Sequence, residues 1–402
     1  MIYLDYNATT PLSGAAWRAM QPYFEEYFGN PSSVHRAGRE TRAAIDEARD
    51  RIAGLLGAKP HEITFTSGGT ESNNLAILGL ARVSASNGKH LISNRAEHHA
   101  VLHALEHLER WEGFEVTWLD VSPEGLVNPD ELERAIRPDT MLVSIMTANN
   151  ETGVIQPMEE ISARCRKHGV LLHSDMVQSF GKMDEQKLVP PEGLAAASPV
   201  SEICDAASFG AHKFYGPKGA GFLYLRSGLP IDRIQFGGAH EGERRPGTEN
   251  VPAIVGMAAA AEEVLRNLAD EQARERELRD ELWRGIERVC PEAQQNAATA
   301  PRLDNTLNVS FPGFPSETML MALDLEGVCA SSGSACMVGS VVASHVLLAM
   351  GLPRERAASA IRFSLGKETT AAEIEATIAA IDRILRRHKS AAAAGPVQHA
   401  VV

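Results

Sequence analysis

The chain has 402 residues, more than one simple core holds, which points to two domains or to one large α/β domain with an appendage. Hydrophobic residues make up 44% and charged residues 23%, as in an ordinary globular protein, and a net charge of -13 argues against a broad electrostatic grip on nucleic acid or an anionic membrane. No apolar run approaches the roughly 18 residues that span a bilayer.

At the start of the chain, "MIYLDYNATT" has no basic region followed by an apolar stretch, so no secretory signal is expected. Between residues 41 and 56, Ala44, Ile45, Ala48, Ile52, Leu55 and Leu56 recur at three- and four-residue steps, which predicts an amphipathic helix. Seven short runs rich in apolar and β-branched residues follow: "EITFTS" (62–67), "HLISN" (90–94), "FEVTWL" (114–119), "MLVSIMT" (141–147), "GVLLHSD" (169–175), "DAASFG" (205–210) and "GAGFLYL" (219–225). Amphipathic stretches lie between most of them. That alternation predicts a mostly parallel sheet covered on both faces.

The segment "LVPPEGLAAASPVSE" (188–202) reads as a loop inserted before a strand. From 253 to about 288 the pattern is one long helix without proline, a natural bridge between domains. Beyond it, "TLNVSF" and "GVCASSG" read as strands, and 371–388 reads as a last amphipathic helix carrying Ile374, Ile378, Ile381 and Ile384. Residues 389–402 are small and read as a disordered tail.

Five cysteines, at 165, 204, 290, 329 and 336, are scattered with no CxxC pair. This argues against a disulfide scaffold or a cysteine-built zinc site, and for a reducing cytoplasm. Cys165, on a predicted helix, reads as a small buried hydrophobe. Cys336 differs. It sits in "SSGSACMVGS" (331–340), with no large apolar residue before Met337 to pack it into a core.

Several stretches carry chemistry. In "ITFTSGGTESNNLAILGL", Gly68 and Gly69 link a strand to a helix opened by Thr70, Glu71 and Ser72, a ready phosphate site. The same pattern also fits an ordinary turn with Thr70 or Ser72 as N-cap. Asp175, just past an apolar strand, can pair with a protonated ring nitrogen with Gln178 nearby, or simply cap a turn. Lys213, between a strand and the turn "GPKG", is placed to form a Schiff base, or to snorkel at a strand end; the adjacent His212 favours chemistry. His98 and His99 follow a strand, where one could lie on an aromatic cofactor as an acid–base group, or both could face solvent. Arg362, flanked by apolar residues, needs a carboxylate from a substrate or from a structural Asp or Glu. Together these describe a pyridoxal phosphate pocket.

In order along the chain, "YLDYNATTP", "FGNPSSVH", "FTSGGTESNN", "EHHAV", "NNETGV", "HSDMVQS", "AHKFYGPKG", "RRPGTENV", "SSGSAC" and "IRFSLG" resemble the cysteine desulfurases. These are pyridoxal-phosphate enzymes of the class V aminotransferase group, and the likeness is to the type serving nitrogenase and iron–sulfur cluster assembly. It implies the pyridoxal-phosphate-dependent transferase fold (fold type I): an α/β large domain with a mostly parallel seven-stranded sheet, and a smaller α+β domain. The large cofactor-binding domain would span 16–255. The small domain, with the cysteine loop, would take 1–15 and 256–388.

The resemblance also implies roles. Lys213 would bind the cofactor covalently, Asp175 the pyridine nitrogen and Gln178 the phenolic oxygen. His98 would stack on the ring. Gly69, Thr70 and His212 would bind the phosphate, with Gly210, Ala211 and Asn150 also against the cofactor. Thr248 would reach the phosphate of a neighbouring subunit, which makes the enzyme a homodimer. Asn150 and Arg362 would face the substrate carboxylate. Lys213, His98 and Cys336 would be catalytic, converting L-cysteine to L-alanine and leaving a persulfide on Cys336. An iron–sulfur scaffold or another sulfur-acceptor protein would take that sulfur. No metal is implied, and the spacing around Cys336 matches the long-loop group. Selenocysteine cleavage, transamination and an inactive sulfur-carrier scaffold are the competing readings.

Three departures from the pattern bear on cofactor retention, pocket size and loop behaviour. Gly210 stands where serine is common, and Met176 where alanine or glycine is. "MVGSVVASHVL" replaces "TSGSLEPSHVL" after the cysteine.

Overall fold

The computed structural model describes residues 1–86, 88–183, 200–333 and 343–393, with side chains to residue 388. Cys336 and most of the predicted 188–202 loop therefore lie outside the described residues. Seven strands form one sheet: β1 (Ile63–Thr66), β2 (His90–Asn94), β3 (Glu115–Leu119), β4 (Thr140–Ser144), β5 (Leu171–Asp175), β6 (Ala206–Gly210) and β7 (Gly221–Leu225). Their order is β1-β7-β6-β5-β4-β2-β3, and only β7 runs antiparallel to its neighbours. β1, β2, β4, β6 and β7 are buried at every position, as a sheet covered on both faces requires, whereas the edge strand β3 begins exposed and is only partly buried.

The helices α1 (Arg36–Leu55), α2 (Gly69–Ser84), α3 (His99–Trp111) and α4 (Met158–His168) cover the sheet. The apolar face predicted for α1 is found: Ala44, Ile45, Ala48 and Ile52 are buried, and Ile52 packs in the cluster that also holds Phe65.

The long helix expected over 253–288 is two helices. α5 (Val251–Arg266) ends at Asn267, where φ is -102° and ψ is 4°, and α6 (Leu268–Val289) sets off anew. The two halves serve different cores, which is the physical reason for the break. Ile254, Met257, Ala258 and Ala261 of α5 join the cluster under the main sheet. Leu278, Leu282 and Ile286 of α6 join a second cluster with Ile374, Ile378 and Ile381 of α7 (Ala371–Ala393). Gly285 lets α6 and α7 close in, since a Cβ there would lie 2.1 Å from Ile378 Cδ1. The backbone of α7 stays helical five residues beyond the predicted end at 388.

That second cluster lies on a small antiparallel sheet of β8 (Thr306–Ser310), β9 (Ala360–Ser364) and Gln294–Gln295, with Asn308 opposite Arg362. The strand expected from "GVCASSG" shrinks to Val328–Cys329, because its partner Ile2–Tyr3 is equally short. Residues 4–10 then stitch the two sheets together. Ser364 N donates to Leu4 O at 2.8 Å, and Thr10 N donates to His212 O at 2.9 Å.

Candidate active site

β1, β2, β4, β5 and β6 all end on the same side of the sheet, the side where α/β folds bind ligands. A cleft of about 340 Å³ opens there. Nine of the expected site residues line it: Gly69, Thr70, His98, Asn150, Asp175, Gln178, His212, Lys213 and Arg362. Gly210 and Ala211 lie buried rather than in the cleft wall. Thr248 is exposed and does not reach this cleft within one chain. Cys336 lies outside the described residues, although Gly333 and His345, on either side of its segment, both line the cleft.

The turn from β1 to α2 depends on glycine. Gly68 has φ +151°, a state that residues with side chains rarely adopt, and a Cβ on Gly69 would sit 2.5 Å from Val177 Cγ2. Gly68 itself occupies the N-cap, so neither Thr70 nor Ser72 caps α2, and Gly68 gives no side chain to the first-turn amides. Those amides carry the partial positive charge of a helix start. Glu71, the one acid of that turn, is drawn aside by Ser67 N and by Arg245 at 2.8 Å. His212 Nδ1 lies 3.1 Å from Thr9 Oγ1, and burial, then the charge of Lys213, pushes the imidazole down to about 4.

Asp175 ends β5. Its Oδ2 accepts from Asn73 Nδ2 at 2.6 Å and its Oδ1 from Val177 N at 2.9 Å. His98 caps α3: its Nδ1 accepts from Ala100 N at 3.1 Å, so the neutral ring carries its proton on Nε2. Burial holds that imidazole below its usual pKa, an effect Asp175 opposes and Lys213 reinforces. Beneath it Glu97 is fully buried, accepting from Met146 N and Asn94 Nδ2, and burial pushes its carboxyl up to about 8.

Lys213 closes the short turn after β6. Its Nζ donates to the carbonyls of Asn7 and Ala8, each at 2.7 Å. Two residues on, Tyr215 is held at φ +65°, a strained state for an aromatic residue. Its N donates to Thr10 Oγ1, and its hydroxyl accepts from Lys367 N.

Arg362, on β9, has the structural carboxylate that the sequence left open. Its Nη2 lies 2.6 Å from Asp5 Oδ1 and its Nη1 donates to Asn150 O at 2.9 Å, while the buried Nε has no partner among the described residues.

The family model for class-V aminotransferases matches residues 2–377. The chain belongs to this family. Its relatives are cysteine desulfurases by name. Cysteine desulfurase IscS of Dictyoglomus turgidum is 46% identical over 387 residues, covering 96% of this chain and 95% of the relative. Cysteine desulfurase IscS of Methanosarcina thermophila is 41% identical over 400 residues, covering 99% and 95%. Among solved structures, a NifS-like protein superposes with a TM-score of 0.87 at 36% identity, covering 96% of this chain and 99% of the other. SspA in complex with cysteine gives 0.77 at 34%, covering 91% and 99%.

In this class-V aminotransferase Asn7, Asn73, Glu151 and His345 line the cleft, and Asp5 and Glu97 contact residues that line it, yet none of the six had a role assigned from sequence. Asn73 had a usable signal, because it follows Gly69 and Thr70 by four and three residues on one helix and so shares their face. Asn7 and Asp5 had none beyond lying in "YLDYNATTP", since their partners are hundreds of residues away.

Proposed function

We propose that this protein is an L-cysteine desulfurase that binds pyridoxal 5′-phosphate and passes sulfur through Cys336. The observation that carries the reading is the gathering of Lys213, Asp175, His98 and Arg362 around one cleft with a glycine-built helix start beside them. The class-V aminotransferases and cysteine desulfurases depend on pyridoxal phosphate in general, and the residues present suit that group. The α2 start and His212 offer donors to a phosphate. The Asp175 carboxylate suits a ring N–H, and Lys213 is an amine within reach of the same cleft. The Nε of Arg362, without a partner among the described residues, can take one more acceptor, as a substrate carboxylate would supply.

When bound, the cofactor supplies the electron sink that lets the Cα proton of an amino acid leave. The chain's own residues do the rest. Arg362, with the Asn150 side chain, orients the substrate carboxylate. Lys213, once its amine is free, moves the proton at Cα. The Cys336 sulfur, as thiolate, attacks the substrate sulfur; the Cβ–S bond breaks, its electron pair stays on Cβ, and Cβ takes a proton. L-Alanine leaves and Cys336 keeps the extra sulfur. His98, with its proton on Nε2, is the group placed to exchange protons near the reacting atoms.

In this reading residues 16–255 form the cofactor-binding unit and 1–15 with 256–388 the smaller one; the separate apolar cluster around α6 and α7 supports a second unit, while α5, to Arg266, packs under the main sheet. Thr248, exposed in one chain, would serve the cleft of a second copy in a homodimer. The persulfide sulfur would go to an iron–sulfur scaffold or another acceptor protein. The scattered, buried cysteines at 165, 204 and 290 suit a reducing cytoplasm.

The test is incubation of the pyridoxal-phosphate-loaded protein with L-cysteine and a reductant, measuring alanine and sulfide together. Equal amounts of both are expected, with one extra sulfur on the Cys336 peptide by mass spectrometry when the reductant is omitted. Alanine without sulfide, or neither product, overturns the reading.

A further inference from the structure

A second lysine lies under the site and has no part in the chemistry above. Lys182 is in the turn that follows β5 and is only 9% exposed. Its Nζ donates to Gln178 Oε1 at 2.6 Å and to Asn7 Oδ1 at 2.8 Å. Asn7 is the hub of this network. Its carbonyl accepts from both Lys213 Nζ, at 2.7 Å, and Gln178 Nε2, at 2.9 Å. Its side-chain oxygen also accepts from Asn305 Nδ2 at 3.1 Å, and its Nδ2 donates to Thr306 Oγ1 at 2.9 Å. Two amines therefore reach Asn7, one at the backbone oxygen and one at the side-chain oxygen.

The arrangement has a direction. The amide nitrogen of Gln178 cannot accept a hydrogen bond. With Lys182 donating to it, the Gln178 side chain must keep its oxygen towards Lys182 and its NH₂ towards Asn7 and the cleft. Burial, with Lys213 and Arg362 adding to it and Glu275 opposing, pushes the Lys182 amine well below the ordinary lysine range. Both of its acceptors are neutral amides, so an amine with two N–H bonds satisfies both without a counter-ion. Lys182 also borders a small pocket shared with Glu263, Glu271, Glu275, Lys367, Tyr6 and Tyr215.

We infer that Lys182 is a positioning residue for the proposed reaction: its two hydrogen bonds hold the Gln178 amide in one orientation and brace the Asn7 carbonyl against Lys213. The inference rests on the desulfurase reading for what is being positioned, but its primary readout does not depend on sulfide.

The experiment compares the parent with Lys182→Met, which keeps the bulk of the side chain, and Lys182→Gln, which keeps a donor. The readouts are release of pyridoxal phosphate to an apo-enzyme trap, the pH titration of the bound chromophore, kcat and KM for cysteine, and Tm. For Lys182→Met, cofactor release on the order of tenfold faster is expected, with a displaced chromophore titration. kcat should fall on the order of ten- to a hundredfold, while the cysteine KM moves less than about threefold, because Arg362 and Asn150 are untouched. Lys182→Gln should recover part of each loss. If Lys182→Met does not fold, Lys182→Gln alone decides: normal release, titration and kcat there count against the inference. Equal defects in both variants with an equal drop in Tm would make Lys182 merely structural, and a Lys182→Met protein indistinguishable from the parent would overturn the inference outright. A parent that releases no sulfide from cysteine, yet shows a chromophore that depends on Lys182, would sink the desulfurase reading and leave this inference standing.

Discussion

Arg362 and Asp5 give the sharpest test of how the cleft recognises an amino acid. The guanidinium is 3% exposed and the carboxylate 20%, with 2.6 Å between Nη2 and Oδ1. Removing one partner of a buried pair costs about 3–5 kcal/mol of stability. Asp5 keeps some contact with water, so Arg362→Ala should sit near the low end of that range. The same variant should weaken cysteine binding by about 2–5 kcal/mol, as expected when one partner of a hydrogen-bonded charge pair is truncated. Asp5→Asn is the informative counterpart. The asparagine oxygen can still accept from Nη2, but the negative charge is gone, and charge-assisted bonds are about twice as strong as neutral ones. The guanidinium then needs another anion, and a substrate carboxylate is the one on offer, so Asp5→Asn should bind cysteine as well as the parent or more tightly. Titration of cofactor absorbance with L-cysteine in a Cys336→Ser background measures binding without turnover, and calorimetry gives the stability change. If Asp5→Asn weakens cysteine binding as much as Arg362→Ala does, the pair is structural and the carboxylate clamp lies elsewhere.

Lys213→Ala should abolish the absorbance of covalently bound cofactor and all turnover; persistence of that band after dialysis would place the covalent link on another lysine. Cys336→Ser should keep the cofactor and its spectral response to cysteine but release almost no sulfide. Extra sulfur on Cys329 in the parent would overturn the assignment, and burial already pushes the Cys329 thiol up, away from the reactive thiolate. Gly210→Ser should slow pyridoxal phosphate release by roughly tenfold, the low end of the effect of one hydrogen bond of about 1.5–3 kcal/mol to a charged group. A Cβ there would lie 3.3 Å from Gly69 N, and the hydroxyl of Ser208, two residues earlier, is buried 3.0 Å from His173 Nε2. Equal or faster release from Gly210→Ser would mean the phosphate does not sit beside residue 210. His173 is fully buried and burial pushes it down to about 3, so it stays neutral in the fold while the unfolded chain charges below its ordinary value of 6.5. Its contribution to stability is therefore lost as pH falls from 6.5 towards 3, and His173→Asn should flatten the acid side of a stability–pH curve by about one proton, about 1.4 kcal/mol per pH unit. An unchanged slope would mean His173 is protonated in the folded state.

What the sequence determined by itself was local. Each strand of the main sheet is a short apolar run that must be buried wherever it goes, so all seven were legible within a residue or a few of their ends. Gly68 and Gly69 announced a close backbone approach because no other residue tolerates the geometry there. Lys213 and Asp175 stood out because a charged group at the end of an apolar strand needs a reason. What only the tertiary structure decided was who meets whom. The periodicity over 253–288 is helical on both sides of Asn267, and nothing in it says that the two halves bury their apolar faces in different cores. Asp5 pairs with Arg362 across 357 positions, and Lys182 meets Lys213 through Asn7, from the other end of the chain. Apolar patterning says that a residue is inside, but a hydrogen bond or ion pair needs a partner at a particular distance. That distance is set by how the sheets and helices pack, which no stretch of neighbouring residues encodes.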